Sequence, residues 1–147
     1  FLHEMRLYKS RYEIRLMRQA AKISAKAHKR AMRNCRPGMY EYQLEGELIS
    51  EFIQNGARFT AYPPIVGSGQ NTCILHYTDN SDKMLDGDLL LIDSGAEYQC
   101  YASDITRTFP VNGKFSNAQR DIYNLVLSAQ AAAINEIKVL HKNHSSA

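Results

Sequence analysis

Apolar side chains recur at three- and four-residue steps through the first part of the chain, then give way after Gly56 to short runs of branched and aromatic residues. Ile14, Met17, Ala20, Ala21, Ile23, Ala27, Ala31 and Met32 mark a long first helix. Ser10-Arg11-Tyr12-Glu13 has the spacing of a capping box at its start, and Arg36-Pro37-Gly38 ends or follows it. A second amphipathic helix is predicted from about Glu41, with Leu44, Leu48, Phe52 and Ile53 on its inner face and Asn55-Gly56 as its stop. Four strand candidates follow, at Phe59–Val66, Cys73–Tyr77, Leu89–Glu97 and Tyr101–Phe109. Pro63 and Pro64 confine the first of them to an edge or a bulge. Ser116-Asn117-Ala118-Gln119 caps a third helix whose buried stripe would be Ile122, Leu125, Val126, Ala129, Ala132 and Ala133. Two helices, four strands and a helix define an α+β fold, with helices packed on one face of a mainly antiparallel sheet.

The candidate chemistry lies in the last two strands. Leu89–Thr106 reads as a hairpin with an acid in each arm, Asp93 and Asp104. With the turn centred on Tyr98-Gln99, the two would face each other directly, at a Cβ separation of about 4.5–5.5 Å. Like charges placed so need a cation or a shared proton, and the apolar flank of Asp93 raises the cost of leaving them uncompensated. A divalent metal held by both acids removes that cost; a solvated hairpin with two ordinary surface acids is the alternative. His76 sits at the end of an apolar strand before a polar turn. It is either a satisfied structural group or, beside a metal-bound carboxylate, a proton shuttle or a group that orients substrate.

Composition narrows the classes. The 147 residues suit one domain, and a net charge of +3 gives no argument for a nucleic-acid partner. Basic residues concentrate between Arg6 and Arg36 at helical spacing, the pattern of a solvated helix face. Cys35, Cys73 and Cys100 have no paired spacing and read as reduced, mostly buried thiols of a cytoplasmic protein. No apolar stretch is long enough to cross a bilayer, so no membrane partner is expected. Gly67-Ser68-Gly69-Gln70-Asn71 fails the dinucleotide spacing, because Thr72 follows, and reads as a turn. The chain opens on Phe1 rather than Met, so sequence upstream is expected to be missing.

Several motifs in order carry a resemblance. Cys35-Arg36-Pro37-Gly38-Met39, Gly56-Ala57-Arg58, Ile65-Val66-Gly67-Ser68-Gly69, Ile74-Leu75-His76-Tyr77-Thr78, Leu91-Ile92-Asp93-Ser94-Gly95 and Ser103-Asp104-Ile105-Thr106-Arg107-Thr108-Phe109-Pro110 closely resemble bacterial aminopeptidase P. That group of Xaa-Pro aminopeptidases lies within the pita-bread metallopeptidase family, beside prolidase and methionine aminopeptidase. The resemblance runs from His3 to about Ile134 and implies two pseudo-symmetric α+β halves around two divalent metal ions, commonly manganese. It implies that Asp93 and Asp104 are the first two metal carboxylates and that His76 contacts substrate and assists proton transfer. The implied reaction removes an N-terminal residue that precedes proline, by activating water and polarising the peptide carbonyl.

The same resemblance exposes a shortfall. The family's remaining ligands, a histidine and two glutamates, belong to a second half, and Glu97, Glu136, His141 and His144 do not occupy those motifs. Residues 1–137 therefore read as the N-terminal half of the catalytic domain and residues 138–147 as an atypical tail. An incomplete ligand set leaves the isolated chain inactive by expectation. The alternatives are a non-catalytic module that binds peptides or forms a homo-oligomer over the face the missing half would cover, and another branch such as prolidase.

Overall fold

Ser10 starts the long helix as its spacing predicts: its Oγ accepts from Glu13 N at 3.3 Å, and Glu13 Oε2 accepts from Ser10 N at 2.6 Å. A computed structural model of the chain describes the backbone of residues 1–143 and the side chains of residues 1–137. It comprises two units, Phe1–Lys114 and Phe115–Ala147. The tail expected over 138–147, with His141 and His144, lies outside the residues described in full.

In the first unit, α1 (Leu2–Leu7) is a short exposed helix that the periodicity did not predict, since six residues leave too little pattern to read. α2 (Arg11–Asn34) and α3 (Glu41–Gln54) pack together. Ile23, Ala27 and Ala31 meet Leu44, Leu48 and Phe52 in one core with Val66, Leu90 and Ile92 of the strands. Ile53 was expected on that face but is 54% exposed. Leu44, Leu48 and Phe52 form a four-residue row, and Ile53 sits about 100° around the helix from it.

The strands are β1 (Phe59–Thr60), β2 (Ile65–Ser68), β3 (Leu89–Ser94), β4 (Ala96–Tyr98), β5 (Tyr101–Ala102) and β6 (Ile105–Pro110). They form two antiparallel sheets, β2-β3-β6 and β1-β4-β5, in place of one continuous sheet. Pro63 and Pro64 split the first expected strand, and β2 is an edge strand. The strand expected over Cys73–Tyr77 is absent. Gly69–Cys73 is a 3-10 turn, and the residues after it are irregular, with Ile74 and Leu75 exposed. Those apolar residues face outward, so nothing rewards a pleated strand there. The thiols also differ from expectation: all three are free and Cys35 is buried, but Cys73 and Cys100 are exposed, since neither falls within a strand.

The second unit is essentially one helix, α4 (Asn117–Asn143), started by Ser116, whose Oγ accepts from Gln119 N at 3.2 Å. Its expected buried stripe is not buried: Ile122, Leu125 and Val126 are exposed. A single helix has no second layer of its own to bury an apolar face against. No described helix is long and apolar enough to cross a membrane.

Candidate metal-binding site

Asp93 is placed by the alternation of β3. Leu90, Ile92 and Ser94 point into the core, while Leu91 and Asp93 occupy the opposite, partly open face. The hairpin turn falls on Gln99-Cys100, both with positive φ, and pairs Tyr98 with Tyr101. Two central residues at positive φ match the twist of a two-residue hairpin. The turn therefore lies one residue beyond Tyr98-Gln99, and the register moves with it: Asp93 faces Thr106, not Asp104. Asp104, two residues before Thr106, becomes the diagonal neighbour on the same face.

What brings the acids together is a break in the hairpin. β3 passes into β4 through Gly95, and β5 into β6 through Ser103-Asp104, so the ribbon crosses from one sheet to the other at this point. A Cβ on Gly95 would lie 1.7 Å from the Ser103 carbonyl oxygen, so only glycine permits this approach. Ser103 is anchored: its buried hydroxyl lies 2.7 Å from Ser24 Oγ and donates to Ala20 O or Ala96 O, each at 3.1 Å. Asp104 is held by the residue beside it.

Tyr62, from the segment between β1 and β2, joins the two acids. Its hydroxyl lies 2.5 Å from Asp93 Oδ1 and 3.0 Å from Asp104 Oδ1. Burial first, then the hydrogen bonds to both carboxylates, pushes the phenol well above its ordinary value, so it stays a neutral donor. One proton serves two acceptors. Among the described residues neither aspartate forms an ion pair, and the like charges converge with only this partial compensation. Sequence reasoning missed Tyr62; its only cue was a tyrosine locked in place by the following Pro63-Pro64.

His76 lies in the irregular segment after the 3-10 turn, at φ +57, rather than at a strand end. It lines a cavity of about 260 Å³ together with Asn71, Cys73, Leu75, Leu91 and Asp93. Thus His76 and Asp93 border one space, and Asp93 and Asp104 share one hydroxyl. The oxygen donors suit a hard divalent cation, and their convergence on a single atom fits a shared ion. The count falls short, because no group of three or more His, Cys, Asp or Glu that could hold a metal occurs among the described residues.

Comparison with known proteins gives this arrangement a class. The model of metallopeptidase family M24 matches residues 15–144, and the chain belongs to that family. It is 62% identical over 128 residues to the Xaa-Pro aminopeptidase of Escherichia coli strain K12, covering 87% of this chain and 29% of that protein. It is 57% identical over 133 residues to the Xaa-Pro aminopeptidase of Haemophilus influenzae, covering 90% and 31%. Among solved structures, proline aminopeptidase P II from Yersinia pestis aligns with a TM-score of 0.87 at 63% identity, over 88% of this chain and 30% of that one. A zinc-substituted E. coli aminopeptidase P in complex with product aligns at 0.88 and 60%, over 89% and 30%. The chain thus spans about 30% of the length of these relatives, and its fold is the corresponding part of the pita-bread architecture.

Proposed function

We propose that this chain is the N-terminal half of the catalytic domain of a Xaa-Pro aminopeptidase, a cytoplasmic enzyme that hydrolyses peptides with proline at the second position. The observation that carries this is the convergence of Asp93 and Asp104 on one hydroxyl within a chain 62% identical to such an enzyme. Residues 1–137 make up that half and 138–147 depart from it. Asp93 and Asp104 would supply two carboxylates to a divalent metal centre, manganese by the family resemblance. When bound, such a centre lowers the pKa of water and polarises the scissile carbonyl. The chain's own side chains set the stage for that chemistry. Tyr62 holds the carboxylates in one orientation. His76, exposed at the rim of the cavity it shares with Asp93, would hold a polar group of the peptide or move a proton through a ring nitrogen. Two protein ligands are fewer than a catalytic centre uses, so the isolated chain is expected to be inactive and to gain activity only with a second half.

A segment exchange tests this. Residues 15–137 replace the matching segment of the E. coli relative, and the chimera is assayed on a Xaa-Pro peptide. Hydrolysis abolished by Asp93→Asn, Asp104→Asn and reduced by His76→Ala is expected. A folded chimera without turnover, or one indifferent to both aspartates, would refute the assignment.

A further inference from the structure

The segment that carries His76 leaves the edge strand at Ser68 and returns to α3 at Asp82, and its base is closed by one buried side chain. Glu41, the first residue of α3, is fully buried. Its Oε1 accepts from Ser68 N at 2.6 Å, Ser68 Oγ at 2.8 Å and Asn71 Nδ2 at 3.2 Å. Its Oε2 accepts from Tyr77 Oη at 2.8 Å and Asp82 N at 3.0 Å. Among the described residues no cation pairs with it. A buried carboxylate without a counter-ion is costly, and an apolar side chain would fill the space at less expense. Five donors and the positive end of α3 offset that cost. The donors come from both ends of a single loop, which is what an apolar side chain could not gather.

We propose that Glu41 is a positioning residue of the candidate site: its carboxylate fastens both ends of the 68–82 loop and thereby fixes His76 at the cavity it shares with Asp93. This rests on the functional reading of His76 given above. The backbone at His76 is left-handed, at φ +57, a conformation that a non-glycine residue keeps only where its surroundings enforce it. The enforcing neighbour is Tyr77, whose ring is buried and whose hydroxyl ends on Glu41. Asn80 adds a second clasp one helical turn away: it donates to Glu45 Oε2 at 3.0 Å and Pro64 O at 2.9 Å and accepts from Val66 N at 2.9 Å. Two acids on one face of α3 thus hold the returning arm of the loop. Among the described residues no hydrogen bond joins Glu41 to Asp93 or Asp104.

Glutamine is the discriminating replacement, because it keeps the shape but turns one acceptor into an NH2 group that opposes the donors around it. In the full 147-residue chain, Glu41→Gln is examined by NMR. Amide exchange at Ser68 and Asp82 is expected to quicken roughly 10- to 100-fold, and the His76 ring signals to shift, while Leu48 and Phe52 of the core keep theirs. His76 ring signals unchanged in the folded variant would overturn the proposal, leaving Glu41 a merely structural clasp. Should Glu41→Gln not fold, Tyr77→Phe removes one donor and keeps the ring; a shifted His76 ring again supports the proposal, and an unshifted one overturns it. Manganese titration of the wild-type chain separates the two readings. Absent metal binding with a displaced His76 ring defeats the metal assignment and still supports the positioning role.

Discussion

Replacing Gly95 by alanine should be among the most damaging single-methyl changes available to this chain. The added Cβ would sit 1.7 Å from the Ser103 carbonyl oxygen, 2.7 Å from its carbonyl carbon and 3.2 Å from a ring carbon of Tyr62. The first two atoms are backbone, so no rotamer change relieves the overlap; the strands must part by well over 1 Å, as a rough bound from ordinary carbon–oxygen contact distances. Parting them strains Ser103 N to Ala96 O at 3.0 Å, Ala61 N to Gly95 O at 2.8 Å and the buried Ser24–Ser103 pair. Overpacking costs about 1–3 kcal/mol and each buried hydrogen bond left unmade about 1–3 more, so a loss of about 3–5 kcal/mol is expected. With a urea slope of about 1–3 kcal/mol per molar, the unfolding midpoint should fall by at least about 1 M. Gly46→Ala is the control: nothing lies within 4 Å of its Cβ, it lies in the interior of α3, and a gain of about 0.5–1 kcal/mol is expected. A Gly95→Ala midpoint indistinguishable from wild type would show that the two backbones do not approach as described.

Tyr62→Phe removes the only hydroxyl that, among the described residues, donates to the two aspartates, and should cost about 1.5–2 kcal/mol in metal-free buffer, the lower part of the charged hydrogen-bond range for a half-buried site. Urea midpoints with and without manganese check this, and the deficit should shrink when the metal is present. The Glu51 carboxyl is drawn from 4.5 to about 2, first by the hydrogen bond from Lys26 and then by Arg30. A lowered folded-state pKa gives stability that is complete above the unfolded value and lost as pH falls from about 4.5 to 2. Glu51→Gln should therefore be less stable than wild type at neutral pH and match it near the acid limit. A difference between the two that does not change with pH would contradict the pairing.

Much of the fold could be read from the residues, and the exceptions have physical causes. The capping box at Ser10 and the four-residue row of Leu44, Leu48 and Phe52 are local signals, and the structure contains both. The hairpin's acids were also legible, but their register was not. A shift of one residue in the turn decides whether Asp93 meets Asp104 or Thr106, and Gln99-Cys100 carries no glycine to announce positive φ. The segment around His76 misled for another reason: its apolar letters resemble a strand, while its conformation is dictated by Glu41, a residue 35 positions earlier in the chain. Tyr62 was invisible on the same ground, because its role exists only once three distant segments meet.

Manganese calorimetry on the 147-residue chain beside Asp93→Asn and Asp104→Asn tests the metal assignment most directly. Weak but measurable binding in the wild type, abolished by either substitution, is the predicted result. Binding that survives both substitutions, or none even at millimolar manganese, would contradict the assignment of these two aspartates as metal ligands.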